Sequence, residues 1–114
     1  MSDESDIAKL NFISELISDI ELIINRHSGS AKALADIEGK HALLMCLQQI
    51  GETLGKIKKP LWQALLETHQ ANAMRNVIAH NYLGIDPRIV LSTLDLKIPQ
   101  LKEKIDIILA QGAN

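Results

Sequence analysis

The chain has 114 residues and a formal net charge of −2, from 12 basic and 14 acidic side chains. That length fits a single domain, residues 1–114, and the near-neutral charge excludes a protein that holds nucleic acid mainly through a strongly basic surface. The only cysteine, Cys46, excludes an internal disulfide framework and a multi-cysteine zinc site. Its apolar neighbours predict a buried structural thiol.

The composition favours helices, because Leu, Ile and Ala dominate and only three residues are aromatic. The first six residues form an acidic segment that contains Asp3, Glu4 and Asp6, and they lack the basic and apolar regions of a signal peptide. No apolar run is long enough to span a bilayer. We therefore expect a cytoplasmic protein without a membrane-spanning segment.

Apolar residues recur with helical spacing along almost the whole chain. The first predicted helix begins near Ser5 and ends near Arg26, where a Ser-Gly-Ser cluster breaks the pattern. The strongest part of the second helix runs from His41 to Ile57, and residues 31–40 form a weaker entry because they contain Gly39.

Two further glycines, Gly51 and Gly55, lie four residues apart on one face of the second helix. Because glycine has no side chain, another backbone could approach closely at this face. The alternative is a chance pair in a small protein.

Proline marks the start of each later helix. The Lys-Lys-Pro sequence at 58–60 ends the second helix, and the proline can open a third, predicted from Leu61 to Tyr82. Asp86 and Pro87 fit the N-cap and first position of a fourth helix. Pro99 is expected to break or kink the chain before a final helix.

Short connections between these helices predict an all-α fold, an antiparallel four- to five-helix up-and-down bundle. Apolar residues exceed a single helical stripe in several places, for example at 43–47 and 107–109. The excess predicts a homodimer interface. The alternative is a wider core in a monomer.

A polar cluster lies at the end of the predicted third helix, on the side opposite an apolar core face that includes Ile78. Asn76 and His80 are four residues apart, so their side chains can touch, and Tyr82 lies close to Arg75 around the helix. Arg75 and His80 are separated by about 140° on an ideal helix. They converge on one substrate if the helix end unwinds, if Arg75 reaches across, or if a second subunit completes the site.

These residue types suit RNA cleavage without a metal ion. Histidine at position 80 titrates near neutral pH, so it can accept the proton of a ribose 2′-hydroxyl or protonate the leaving 5′-oxygen. The Arg75 guanidinium can stabilise the phosphorane-like transition state, Asn76 can orient the imidazole, and Tyr82 can contact a phosphate or stack on a base. Cationic residues are also common at helix C-termini for electrostatic reasons, so spacing alone leaves a purely structural interpretation open.

The segment Met74–Tyr82 resembles the signature of the HepT-like family in the HEPN superfamily: Arg, a polar residue, three more residues, His, any residue, Tyr. Each fixed position of that signature is present. The Ile-Gly-Glu sequence at 50–52 and residues 98–102 also resemble family sequences, so the likeness covers about residues 43–108.

The resemblance implies a dimeric all-α bundle in which both subunits contribute Arg and His to one cleft. It also implies a metal-independent ribonuclease toxin without a cofactor, encoded beside a minimal nucleotidyltransferase antitoxin. By this likeness Arg75 and His80 are catalytic, Asn76 supports them, and Tyr82 receives AMP from the antitoxin. The added phosphate would stand beside Arg75 and block the RNA phosphate.

Two other functions stay open. The bundle could be a non-catalytic substrate-binding or regulatory partner of a nucleotidyltransferase, which its modest acidity favours. It could also be a purely structural dimer, in which Arg75 and His80 point away from any cleft.

Outside this motif, three scattered histidines lack metal-site spacing and are predicted to be surface or capping residues: His27, His41 and His69. Glu52 either is solvated or pairs with Arg75, and we favour the solvated state. The basic run of Lys56, Lys58 and Lys59 is either solvated or an RNA-binding edge.

Overall fold

The computed structural model describes residues 2–68, 75, 76, 78 and 86–112. All regular elements in these ranges are helical, which confirms the predicted all-α class for the described part of the chain. The number of helices in the bundle, their up-and-down order and the homodimer remain predictions. The helices are α1 (Ser2–Arg26), α2 (Ser30–Ala35), α3 (Ile37–Leu54), α4 (Pro60–Leu66), α5 (Pro87–Ser92) and α6 (Ile98–Gly112), with a π-helical segment (Thr93–Lys97) before α6.

The core lies where α1 packs against α3 and α6, and α4 closes it by packing against α6. Residues of α1 at helical spacing, Leu10, Ile13 and Ile17, are almost completely buried, as the apolar pattern predicts. Full burial of one such side chain contributes about 1.5–3 kcal/mol. Among the described helices, none is both long and apolar enough to cross a membrane.

Helix α3 begins at Ile37, four residues before the predicted start, because Asp36 caps it. The Asp36 carboxylate accepts a hydrogen bond from the Gly39 backbone N–H at 2.8 Å. The predicted weak entry is therefore two elements, α2 and the first turn of α3. Glycine also allows α2 to pack closely here, because a Cβ at position 39 would collide with the Ala33 carbonyl oxygen of α2.

Two predicted helix ends are wrong. Helix α3 ends at Leu54 rather than at Ile57. The predicted third helix does begin at Pro60, but it is not continuous to Tyr82, because Glu67 adopts the left-handed conformation (φ 52°, ψ 50°) and ends α4 at Leu66. Lys104 of α6 donates a hydrogen bond to the Glu67 carboxylate at 3.3 Å, which ties this turn to the bundle.

The fourth predicted helix start is confirmed. Asp86 is the N-cap of α5 and accepts from the Arg88 backbone N–H at 3.0 Å, with Pro87 in the first turn. Hydrogen bonds from the Arg88 side chain and then from its N–H lower the pKa of Asp86. The chain does not break at Pro99, since Ile98 is helical. The irregularity is instead the π-helical segment, whose wider turn accommodates a proline that cannot donate to the preceding turn.

Candidate active site

The structure describes part of the predicted catalytic segment. Arg75, Asn76 and Ile78 are helical; the first two are exposed, while Ile78 is 4% exposed and belongs to the core. The predicted division between a polar and an apolar face is therefore confirmed for Asn76 and Ile78. His80 and Tyr82 lie outside the described residues, so their approach to Arg75 stays a prediction.

Arg75 lies against the C-terminus of α3. A Cβ at Gly55 would stand 3.0 Å from Arg75 Nη2 and 3.5 Å from the carbonyl oxygen of Glu52. The last carbonyl groups of a helix carry partial negative charge, which favours a guanidinium at this place. The close neighbour of Gly55 is thus the end of a side chain rather than the second backbone considered above.

The connection that follows Gly55 is held by a buried carboxylate on α1. Asp6 is fully buried and accepts hydrogen bonds from the backbone N–H groups of Lys58 at 3.1 Å and Lys59 at 2.8 Å. Lys9 Nζ lies 3.4 Å from the same carboxylate and donates to the Lys56 carbonyl oxygen at 3.0 Å. These contacts fix the path of the chain between α3 and α4.

The Asp6 carboxylate is held in its ionised form. Burial alone would raise the pKa of Asp6, but the N–H groups of Lys59 and Lys58 and the Lys9 ammonium outweigh it, so the pKa lies below the ordinary value. Sequence reasoning placed Asp6 only in an acidic N-terminal segment. Its signal was available: Asp6 precedes Leu10 by four residues, so it extends the apolar face of α1, where an unpaired acid would be costly.

The predicted basic run occupies this connection. The side chains of Lys56 and Lys58 are exposed, and neither forms an ion pair within the described part of the chain. Lys59 Nζ lies 4.5 Å from the centre of the Trp62 ring, a cation–π distance. Gln63 donates to the Ile57 carbonyl oxygen at 2.8 Å, which further orders the segment.

His27 is a capping residue, as predicted. Its Nδ1 lies 2.8 Å from the Ile23 carbonyl oxygen at the end of α1, and its Nε2 lies 3.2 Å from the Asp36 carboxylate. Hydrogen bonding from the Gly39 N–H, followed by the contact with His27, lowers the pKa of Asp36 despite some desolvation. His41 is exposed, and His69 lies outside the described residues.

Two further side chains, those of Cys46 and Glu52, lie on α3. Cys46 is buried, and burial, followed by the charge of Asp19, raises the pKa of its thiol. This confirms the predicted structural thiol. Glu52 is half-buried at the last turn of α3. In the described ranges, no three His, Cys, Asp or Glu side chains are grouped closely enough to hold a metal ion.

The chain is similar to known proteins over most of its length. The model of the family described as "Ribonuclease HepT-like" matches residues 13–108, so the likeness extends into α1, beyond the segment recognised from the motif. A Methanocaldococcus jannaschii protein named "Putative RNase MJ0125" is 26% identical over 102 residues, 86% of this chain and 88% of that protein. Another from the same organism, named "Putative RNase MJ1216", is 31% identical over 72 residues, 61% of this chain and 60% of that protein.

No solved structure matches the chain significantly. The family match alone spans most of the chain and includes the exposed Arg75 and Asn76, the core residue Ile78 and the connection between α3 and α4. The chain therefore belongs to the HepT-like ribonuclease family.

Proposed function

We propose that this chain is the toxin subunit of a toxin–antitoxin pair and acts in the cytoplasm as a metal-independent endoribonuclease. Its catalytic residues are Arg75 and His80, in the cleft of a homodimer. Membership of a ribonuclease family supports RNA as the substrate. The observation that carries the site is the exposed Arg75, whose guanidinium lies at the C-terminus of α3.

In this mechanism the ribose 2′-oxygen attacks the adjacent phosphorus and the bond from phosphorus to the 5′-oxygen breaks. His80 removes the 2′-hydroxyl proton or donates a proton to the departing 5′-oxygen, and water carries out the other proton transfer. Asn76 orients the imidazole. Arg75 stabilises the negative charge of the phosphorane-like transition state. The products are a 2′,3′-cyclic phosphate and a 5′-hydroxyl end.

Contact with α3 supports this role for Arg75. An arginine on an exposed helix samples many rotamers, and ordering it in the transition state costs conformational entropy. Packing of the guanidinium against Gly55 limits those rotamers before RNA binds. A charge held in place in advance stabilises a transition state better than one that must be reorganised.

The activity test uses purified protein and RNA in excess EDTA. Cleavage that persists under chelation, yields cyclic phosphate ends and disappears in His80→Ala and Arg75→Ala supports the mechanism. We expect Arg75→Lys to lose about 10²–10³-fold in kcat/KM, because lysine lacks the planar guanidinium fork. Loss of all cleavage on chelation, or full cleavage by His80→Ala, would overturn the mechanism.

The composite site has its own test. If Arg75 of one subunit works with His80 of the other, a mixed dimer of Arg75→Ala and His80→Ala chains contains one intact site. Random re-association then restores about a quarter of the parental activity, since half of the dimers are mixed and each has one of two sites. A mixture as inactive as either variant alone would contradict a site shared between subunits.

We further propose that a cognate minimal nucleotidyltransferase silences the nuclease by transferring AMP from ATP to the Tyr82 hydroxyl, with release of pyrophosphate. The new phosphate would compete with RNA for Arg75. Co-expression should add the mass of AMP to the parent chain but not to Tyr82→Phe. The Tyr82→Phe variant should stay toxic in the presence of the antitoxin, and its silencing without modification would refute this step.

The second candidate is a non-catalytic substrate-binding or regulatory partner of the nucleotidyltransferase. The net charge of −2 favours it mildly, because a nuclease gains affinity from positive charge. This alternative predicts a stable complex with the nucleotidyltransferase and no RNA cleavage by the isolated chain. Toxicity on expression alone, abolished by Arg75→Ala, would exclude it.

A further inference from the structure

The connection between α3 and α4 places further positive charge next to Arg75. Arg75 Nη2 lies 3.0 Å from the place that a Cβ added to Gly55 would occupy. Lys56 and Lys58 follow directly, and a chain advances at most about 3.6 Å per residue. Both side chains are exposed. Two ammonium groups are therefore attached one and three residues after Gly55, the residue that the Arg75 guanidinium contacts. The proposed mechanism assigns that guanidinium to the scissile phosphate.

Contacts beneath the connection hold it in one conformation. The buried Asp6 carboxylate accepts from the N–H groups of Lys58 and Lys59, and Lys9 donates to the Lys56 carbonyl oxygen. Backbone atoms make these bonds, so the Lys56 and Lys58 side chains remain directed to solvent. A rigid support presents the two charges without the entropy loss of ordering a flexible loop on binding.

Local charge balance also separates these lysines from Lys102 and Lys104. Lys102 lies 3.2 Å from the Glu21 carboxylate, and Lys104 lies 3.3 Å from Glu67, so nearby acids neutralise both. In the part of the chain that the structure describes, Lys56 forms no ion pair, although Glu52 precedes it by one helical turn. The negative charge of Asp6 is directed inward to its three donors.

We propose that residues 55–59 form a basic rim on which Lys56 and Lys58 bind backbone phosphates that flank the scissile phosphate of RNA. The inference rests on the proposed nuclease function, since Arg75 defines the scissile position. A chain with a net charge of −2 cannot attract RNA through its overall field. A local rim of this kind gives an acidic nuclease a phosphate-binding surface.

Contacts to flanking phosphates predict a particular kinetic effect. These phosphates do not change during the reaction, so lysines that bind them hold substrate and transition state equally. The double variant Lys56→Gln/Lys58→Gln should raise KM and leave kcat unchanged. Arg75→Ala should instead lower kcat.

The decisive experiment measures binding without cleavage. The full chain is titrated into single-stranded RNA whose 2′-hydroxyls are methylated, at salt concentrations from about 50 to about 200 mM. Each phosphate contact in a single strand contributes about 0.7 to the slope of log K against log salt. The double variant should lose about 1.4 from that slope, so its affinity deficit shrinks about sevenfold across this range.

A matched control removes the same charge at the other end of α3. Lys32 and Lys97 are both exposed, and a hydrogen bond of 2.7 Å from Ser30 to Asp95 joins the elements that carry them. The variant Lys32→Gln/Lys97→Gln should keep the parental slope. An equal loss of slope in both double variants would show a general charge effect and overturn the proposal.

The outcomes separate this proposal from the proposed function. If the protein binds methylated RNA through these lysines but does not cleave ordinary RNA, the proposed rim is supported and the proposed nuclease function is refuted. If the parent cleaves RNA and Lys56→Gln/Lys58→Gln has the parental salt slope, the proposed nuclease function is supported and the proposed rim is refuted. Unchanged RNA affinity with lost binding of poly-glutamate would assign the surface to an acidic protein partner and also refute the rim.

Discussion

The two ends of α3 use the same device for different purposes. At each end a carboxylate accepts backbone N–H groups: Asp36 binds Gly39 at the start, and Asp6 binds Lys58 and Lys59 beyond the end. Asp36 is half-exposed and caps its own helix, whereas Asp6 is buried and reaches the connection from α1. The first contact starts a helix, and the second holds two distant segments together.

The glycine at each end shows the same difference. A Cβ at Gly39 would meet the backbone carbonyl of Ala33, which can move only if the whole of α2 shifts, because α2 and α3 are packed there. A Cβ at Gly55 would meet the tip of the Arg75 side chain, which can move. Absence of a side chain therefore allows helix packing at the start of α3 and sets the position of a proposed catalytic group at its end.

Loss of the Asp6 carboxylate should have the largest effect on folding. We expect Asp6→Ala to lower the free energy of unfolding by about 3 kcal/mol, because three donors lose a buried charged acceptor. Urea denaturation measures this change. Asp36→Ala is the matched comparison and should cost less, since water can replace a half-exposed cap. Equal losses would show that the two ends do not differ.

Gly39→Ala should have the second largest effect on the free energy of unfolding. Alanine normally stabilises a helix relative to glycine, but here its Cβ would force α2 away from α3. We expect a loss of about 2 kcal/mol, in the range of overpacked cores. A stability equal to or above that of the parent in urea denaturation would mean that α2 can shift without cost.

Sequence signals that act within one helical turn correctly predicted where α4 and α5 begin. Pro60 opens α4 and Asp86 caps α5 as expected, because both effects act within one turn of the residue. The packing role of Gly39 was missed because its close neighbour lies on another helix. The left-handed Glu67 carries no glycine signal, so the end of α4 could not be read from the sequence.

The candidate site divides in the same way. Helical spacing placed Asn76 opposite the core and Ile78 inside it, and the structure confirms both positions. Helical spacing could not show that Arg75 packs on Gly55, because twenty residues separate them and only tertiary structure brings them together. The partners of Asp6 lie 52 and 53 residues away and were missed for the same reason.

A pH series tests whether the charge of Asp6 is what holds the connection. The pKa of Asp6 is lowered in the folded chain, so its contribution is present above the unfolded pKa of about 3.9 and is lost as pH falls through the folded value. At neutral pH, Asp6→Asn should be less stable than the parent by about 1–2 kcal/mol, since charged hydrogen bonds are stronger than neutral ones.

This difference should stay constant from pH 7 down to about pH 5, shrink as the pH falls below the unfolded pKa, and vanish when Asp6 is protonated in the folded chain. Thermal unfolding of both proteins at each pH measures it. The other carboxylates are the same in parent and variant, so their titration cancels. A difference that stays constant over the whole range would show that Asp6 acts by shape and not by charge.

The smallest effect on folding should come from Gly55→Ala, although it is the change aimed at the site. Gly55 has ordinary right-handed helical angles (φ −65°, ψ −12°) and is exposed, so alanine brings no backbone strain. Its reduced freedom in the unfolded chain should raise stability by about 0.5 kcal/mol. The new Cβ would nevertheless press on Arg75 Nη2 and move the guanidinium by a few tenths of an ångström.

Because small misplacements of a catalytic group are costly, we expect kcat/KM for RNA to fall about three- to tenfold in Gly55→Ala and further in Gly55→Val. In an Arg75→Lys background, which keeps measurable cleavage but lacks the guanidinium, the same substitutions should change kcat/KM little, since the group they displace is absent. Equal losses in both backgrounds would mean that Gly55 acts on folding or dimerisation instead. Unchanged cleavage in Gly55→Val would mean that Arg75 does not need its place on α3, and the two ends of the helix would then differ in structure but not in function.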